Sequence, residues 1–140
     1  MVLRAAEGTE STEVGMPKRL SRPVIAAADA AKIMGIRAGA KSDHKFIGVW
    51  PVVVDGRLFA RSWTSTKGGW YQSFLEDPLG VIQVGDREVR VRAVRVKSER
   101  VRDKIEDAYA GKYNTKASQK YVRGFRTERR RSTTTEFVPR

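Results

Sequence analysis

The chain contains no cysteine and a single histidine, His44, among its 140 residues. The absence of cysteine excludes disulfides, thiol nucleophiles and thiolate metal sites. One histidine cannot build a histidine-rich metal centre, and a Ser-His-Asp triad would have to use a side chain that lies in a polar turn. The sequence therefore predicts neither a metal site nor a triad hydrolase, and it identifies no catalytic residue.

Long apolar runs are also missing. No stretch approaches the roughly 18 apolar residues of a membrane span, and the N-terminus lacks the basic, apolar and small-residue regions of a signal peptide. We therefore expect a cytoplasmic protein without a membrane partner. Residues 1–22 have few large apolar side chains and are predicted to form a flexible N-terminal arm, while residues 23–140 are predicted to form a single domain.

Acidic residues are too few to balance the basic ones, and the net charge is +12. Residues 111–140 hold nine basic and two acidic residues, so +7 of this charge lies in the last thirty positions. Such a patch favours a polyanion, although a solvated basic surface has the same composition. A nucleic-acid-binding small barrel is therefore one functional hypothesis. Its phosphate contacts would be Arg87, Arg90, Arg92, Arg95 and the run Arg129-Arg130-Arg131.

Two turn signals set the predicted strand pattern. Asp55-Gly56 predicts a type I′ hairpin between residues 46–54 and 57–62, and Gly85-Asp86 predicts a second hairpin between residues 81–84 and 87–96. A β-bulge near Ala93 would bring the valines of the last of these strands to one face.

Two further strands are predicted, one before residue 39 and one over residues 132–138. Together with the two hairpins they predict a mainly β chain of about six antiparallel strands. Short helices are predicted after Pro23, from Trp70 to Leu75 and from Ser98 towards Gly111. Adjacent hairpins and a late returning strand favour a small closed or nearly closed barrel, because closure removes exposed edges.

A loop rich in hydroxyl groups links the first hairpin to the helix at Trp70. Lys67 and the backbone N–H groups at Gly68-Gly69 could bind a phosphate at the start of that helix. The neighbouring aromatic rings could cover a planar group, although aromatic residues at these spacings also fit core packing beside a solvated loop. The predicted cofactor site comprises Arg61, Ser62, Trp63, Thr64, Ser65, Lys67, Gly68, Gly69, Trp70 and Tyr71.

Several motifs occur in the order found in a bacterial family catalogued as domain of unknown function 2255, which the chain resembles from about Ala26 to Arg140. The motifs are Ile47-Gly48-Val49-Trp50, Arg61-Ser62-Trp63, Trp70-Tyr71, Ile82-Gln83-Val84-Gly85, Asp107-Ala108-Tyr109 through Lys112-Tyr113, and Thr133-Thr134-Thr135-Glu136-Phe137-Val138-Pro139. That family resembles the FMN-binding-like split β-barrel proteins, which include pyridoxamine-phosphate-oxidase-like proteins and deazaflavin-dependent nitroreductases.

The resemblance implies a split β-barrel that binds FMN or a deazaflavin for hydride-transfer redox chemistry, and that pairs as a homodimer. It also implies that the loop holds the cofactor phosphate through Ser62, Thr64, Ser65, Lys67, Gly68 and Gly69. One departure is that Trp70 follows the glycines directly, whereas the nitroreductases usually place several residues between them. Two alternatives stay open, namely the nucleic-acid-binding barrel and a dimerising domain without a cofactor.

Overall fold

The computed structural model describes residues 18–40 and 45–140. Within these residues the strands are β1 (Met34–Ala38), β2 (Ile47–Val49), β3 (Val52–Val54), β4 (Arg57–Ala60), β5 (Leu79–Val84), β6 (Arg87–Arg95) and β7 (Thr135–Pro139). The α-helices are α1 (Arg22–Ala30), α2 (Trp70–Glu76), α3 (Glu99–Lys112), α4 (Gln119–Gly124) and α5 (Glu128–Arg131), and a 3-10 turn spans Lys116–Ser118. None of the described helices is long and apolar enough to cross a membrane.

His44 and residues 1–17 of the predicted arm lie outside the described residues. The remainder of that predicted segment contacts the domain, because Leu20 is buried in the core and Arg22 begins α1. The arm boundary stays a prediction.

Both predicted hairpin turns are confirmed. Asp55 and Gly56 have φ values of 54° and 73°, the positive pair that a type I′ turn requires. Gly85 has a φ of 60° and stands first in the second turn, which is the place where a type II′ turn needs glycine. The turns pair β3 with β4 and β5 with β6.

The first predicted strand, residues 46–54, is divided at Trp50-Pro51 into β2 and β3. Pro51 has no N–H to donate to a ladder, so regular pairing ends there. This division raises the number of strands to seven, against the six expected. The two halves then pair with different partners, β2 with β1 and β3 with β4.

The sheet order is β2-β1-β5-β6-β7-β4-β3, and every recorded pairing is antiparallel. The two edge strands are thus consecutive in the chain and are joined only by Trp50-Pro51. Three Cα steps span at most about 11 Å, so the two edges must lie close together without pairing. The sheet is rolled into a barrel that is open along one seam, and the predicted split β-barrel is confirmed.

The predicted β-bulge near Ala93 is wrong. Strand β6 pairs with β7 in unbroken register from Val91 opposite Pro139 to Arg95 opposite Thr135. Val91 is therefore buried inside the barrel, while Val94, on the opposite parity, is exposed on its outside. The strand keeps one regular pleat and tolerates an exposed valine.

Apolar side chains are buried on both faces of the sheet. Leu58 and Phe59 are neighbours on β4, and both are fully buried because they point to opposite faces. Leu58 packs inside the barrel with α1 and α2, whereas Phe59 packs outside against Ile105 and Tyr109 of α3. Helix α3 is thereby fixed against β3 and β4, close to the seam.

Candidate functional site

A cavity of about 450 Å³ lies beside the seam of the barrel. This volume is within the range of about 300–1,000 Å³ typical of small-molecule sites. One wall comes from β2 and Trp50, and another comes from residues 61–64, which follow β4. The lining residues are Ile47, Gly48, Val49, Trp50, Arg61, Ser62, Trp63, Thr64, Trp70, Tyr121 and Phe125.

Aromatic rings form most of the outer wall and fix one another. Trp50 stacks on Tyr113 with 4.3 Å between ring centroids and 10° between the planes. Trp63 meets Tyr121 and Phe125 edge to face, at 5.2 Å and 5.5 Å between centroids. Each such contact contributes about 0.5–1.5 kcal/mol beyond the area it buries. The cavity is therefore walled by rings in fixed orientations, a surface suited to a planar ligand.

Trp63 is 39% exposed but is held from two sides. The Arg130 guanidinium lies 3.6 Å from the centre of its ring, and Arg130 Nε donates to the Trp63 carbonyl oxygen at 2.8 Å. On another side, a Cβ added to Gly124 would lie 2.4 Å from Trp63 Cη2, so only glycine leaves room for the ring. Gly124 carried no signal in the sequence, and Arg130 was predicted to contact nucleic-acid phosphates.

The Arg61 side chain is fully buried and serves the protein itself. It donates to Thr134 Oγ1 at 2.8 Å and to the carbonyl oxygens of Phe125 and Arg102 at 2.9 Å and 3.0 Å. Burial lowers the pKa of its guanidinium, and the nearby Glu106 carboxylate, 3.4 Å away, opposes this shift. Arg61 thus borders the cavity while its donors are occupied elsewhere.

Two buried tyrosines of the α3 region join the walls of the cavity. The Tyr109 hydroxyl accepts from the Arg61 amide at 2.9 Å and donates to the Trp50 carbonyl oxygen at 2.8 Å. The Tyr113 hydroxyl donates to the Pro51 carbonyl oxygen at 2.9 Å. Burial raises the pKa of both phenols, so each keeps its proton at neutral pH and remains a donor. These hydrogen bonds hold Trp50-Pro51, the dipeptide that joins the two edge strands, against the α3 region.

The predicted phosphate loop uses several of its own donors. Ser62 Oγ donates to the Thr64 carbonyl oxygen, and the Gly69 amide donates to the Thr66 carbonyl oxygen at 3.0 Å. The Gln72 amide group donates to the Ser65 carbonyl oxygen at 3.0 Å, which fastens the loop to α2. The helix has only seven residues, so its N-terminus adds little to anion binding.

A second cavity, of about 410 Å³, lies on the other side of Ile47 and Trp70, which line both cavities. Its walls include Arg37, Lys45 and Gly68. The Arg37 guanidinium stacks 4.6 Å from the centre of the Phe46 ring, and its buried Nε has no hydrogen-bond partner within the described residues. A buried donor without a partner costs about 1–3 kcal/mol. Arg37 was not predicted from the sequence, because it lies within an apolar strand.

The ten predicted site residues fall into three groups, which line the first cavity, the second cavity or neither cavity. Arg61, Ser62, Trp63, Thr64 and Trp70 line the first cavity, and Gly68 and Trp70 line the second. Ser65, Lys67, Gly69 and Tyr71 line neither cavity.

Lys67 is exposed on the loop, and the buried Tyr71 hydroxyl donates to the Ser132 carbonyl oxygen at 3.3 Å. The assignment of these ten residues to a cofactor stays a prediction. No group of three or more metal-ligating side chains occurs within residues 18–40 and 45–140.

A seven-stranded antiparallel sheet split along one seam, with an aromatic cavity beside it, defines the chain as a split β-barrel protein. The particular family follows from the sequence. The chain belongs to the family described as "Uncharacterized protein conserved in bacteria (DUF2255)", whose model matches residues 23–137. The resemblance noted from the motifs is thereby confirmed. The comparison with curated proteins gave no match.

Solved structures with the same fold include a conserved hypothetical protein from Mycobacterium tuberculosis, with a TM-score of 0.56, 12% identity and coverage of 88% of this chain and 81% of that chain. An F420-H2 dependent reductase (FDR-A) has a TM-score of 0.53, 18% identity and coverage of 76% and 93%. An FAD-binding protein from Mesorhizobium loti has a TM-score of 0.50, 13% identity and coverage of 86% and 91%. At these identities the similarity shows the fold.

Proposed function

We propose that this protein binds a flavin-type cofactor, FMN or a deazaflavin, and uses it as an oxidoreductase. The observation that carries the proposal is the aromatic cavity beside the seam, which adjoins a second cavity lined by Arg37 and Lys45. The ring system would lie in the first cavity and the phosphate would point towards the second. The F420-H2 dependent reductase and the FAD-binding protein among the similar structures support this choice of ligand class.

The residues present fit such a ligand at both ends. Trp50 and Trp70 provide apolar surface for a flat ring. At the other end, a phosphate oxygen could accept from Arg37 Nε, which has no hydrogen-bond partner among residues 18–40 and 45–140. Lys45 at the second cavity and the exposed Lys67 would add positive charge.

When bound, a flavin or deazaflavin supplies hydride transfer, and the protein supplies binding and orientation. Here the ring-lined wall would exclude water from one side of the ligand. Trp63 would keep its orientation because Arg130 and Gly124 hold it. The Tyr109 hydroxyl would keep the two sides of the cavity at a fixed separation, since it bonds to both Arg61 and Trp50.

The proposal is tested by titrating the purified full chain with FMN, riboflavin and a deazaflavin while tryptophan fluorescence and visible absorbance are recorded. We expect saturable binding, with FMN bound more tightly than riboflavin because only FMN carries the phosphate. Saturable binding of none of the three compounds would contradict the proposal.

Lysine-to-alanine variants test where the phosphate of FMN binds. Lys45→Ala and Lys67→Ala should each weaken FMN binding by about fivefold, or about 1 kcal/mol, while leaving riboflavin affinity unchanged. Lys116→Ala is the matched control, because this exposed lysine neither lines the second cavity, as Lys45 does, nor adjoins a residue that lines it, as Lys67 adjoins Gly68. An equal loss in the control would show that the positive charge acts only in bulk.

The nucleic-acid hypothesis finds less support in the structure. Arg90 and Arg92 are exposed on β6, but Arg131 pairs with acidic residues of α3 and Arg130 stacks on Trp63. A polyanion binder would lose affinity steeply as salt rises, whereas stacking of a flavin should depend on salt much less. Homodimer formation stays a prediction, which light scattering of the purified protein tests.

A further inference from the structure

The outer wall of the first cavity carries an aromatic surface with a cation behind it. Trp63 lines the cavity and is partly exposed, and the Arg130 guanidinium covers one face of its ring at 3.6 Å. Tyr121, the neighbouring exposed ring of the same wall, has Lys120 Nζ 5.1 Å from its centre. Both exposed rings of this wall therefore have a positive charge beside them.

The charge of Arg130 is not neutralised by its contacts. Its hydrogen bonds go to the carbonyl oxygens of Trp63 and Gly124, which are neutral acceptors. The adjacent Arg131 differs, since it pairs with Glu99, Asp103 and Glu106 on α3. Within the described residues Arg130 forms no ion pair, so no carboxylate offsets its charge beside Trp63.

This arrangement selects the charge of a second ligand. A planar ring could stack on the face of Trp63 opposite Arg130. Its centre would then lie about 7 Å from the guanidinium, with the indole ring between them, and unit charges at this distance still interact appreciably near a protein surface. A cationic ligand would be repelled there and an anionic one attracted. The excess of basic residues over residues 111–140 acts in the same direction.

We infer that the Trp63 wall binds a planar aromatic anion, such as an aromatic carboxylate, and that this is the class of substrate presented to the cofactor. This inference rests on the proposed function, since the ligand would be a substrate only as the reaction partner of a bound cofactor ring. Its binding to Trp63 and Arg130 needs only the residues of the wall, so it can be measured without the cofactor.

The test uses three ligands of one shape and different charge, measured by calorimetry with the full chain free of cofactor. They are 2-naphthoate, the neutral 2-naphthamide and the cationic 2-naphthylmethylamine. We expect 2-naphthoate to bind about fivefold more tightly than the amide, and the amine to bind most weakly. Equal binding of all three, tighter binding of the amine, or no binding of any would overturn the inference.

Variants assign the preference to one side chain. Arg130→Gln should reduce the fivefold preference for 2-naphthoate to about onefold, while Arg130→Lys should retain most of it because the charge remains. Arg126→Gln is the matched control, an exposed arginine of the same segment that, unlike Arg130, does not stack on Trp63. A loss of preference in Arg126→Gln equal to that in Arg130→Gln would show a bulk effect and overturn the assignment. Circular dichroism confirms that each variant is folded.

The two proposals can fail separately. Failure of FMN and the deazaflavin to bind the unmodified chain contradicts the proposed function without affecting the naphthalene titrations. Conversely, cofactor binding together with no charge preference among the naphthalenes contradicts the substrate inference alone.

Discussion

Replacement of Gly124 by alanine should move Trp63 and destabilise the fold. The added Cβ would lie 2.4 Å and 2.6 Å from two carbon atoms of the Trp63 ring, about 1 Å or more inside the usual carbon contact distance of about 3.5–4.0 Å. Since the ring is partly exposed, it can swing outwards, but that movement breaks its contacts with Arg130, Tyr121 and Phe125.

The magnitude follows from those contacts. The cation–π contact contributes about 0.5–1 kcal/mol at an exposed site, and the two edge-to-face contacts about 0.5–1.5 kcal/mol each. Alanine in place of glycine returns up to about 1 kcal/mol of helix propensity. We therefore expect Gly124→Ala to lower the free energy of unfolding by about 0.5–3 kcal/mol.

Gly111→Ala is the matched control, because Gly111 lies near the end of α3 and an added Cβ there would meet nothing within 4 Å. It should be neutral or stabilising by up to about 1 kcal/mol. Urea unfolding followed by circular dichroism measures both values, and native tryptophan fluorescence reports the displacement of Trp63. Equal stability of the two variants, with unchanged fluorescence, would refute the account of Trp63 given above.

Three further predictions concern the supports of the site. Arg61→Met should cost about 3 kcal/mol in urea unfolding, since it leaves buried acceptors without their donor; a loss below about 1 kcal/mol would contradict the buried network. Tyr113→Phe should cost about 1–2 kcal/mol and speed amide exchange in β2 and β3, because the single hydroxyl proton that the Lys32 and Pro51 carbonyl oxygens share is lost; unchanged exchange would show that the Trp50-Pro51 link does not depend on this hydroxyl. Hydrogen bonds from the Ala40 and Leu79 amides lower the pKa of Asp77 below 3.8, so its contribution to stability is complete above that pH and is lost as pH falls through the lower folded value. Thermal melting of Asp77→Asn should accordingly depend less on pH in this acid range than that of the unmodified chain, and parallel curves would disprove the assignment.

The sequence predicted those parts of the fold whose signal is local. Asp55-Gly56 and Gly85-Asp86 specify their turns within four residues, and Ser98 caps α3 by accepting from the Val101 amide as expected. The division at Pro51 was harder to predict, since apolar residues continue on both sides of it. The insertion of β7 between β6 and β4 joins residues far apart in the chain and has no local signal.

The site shows the same contrast. Trp63 could be predicted as a cavity residue from its loop, because an aromatic side chain beside hydroxyl groups is locally unusual. Its supports lie about sixty residues later, and nothing near Gly124 or Arg130 indicates that a ring packs on them. Arg37 was not predicted for a different reason. A single arginine in an otherwise apolar strand is usually read as a solvent-facing side chain with no special role.

The dipeptide Trp50-Pro51 acts as a spacer that sets how far apart the two free sheet edges can stand. Each residue inserted into it would allow about 3.5 Å more separation, and deletion of one would force the edges together. Changes of length at this single point would therefore set the width of the seam and of the cavity beside it, while the paired strands on either side kept their register.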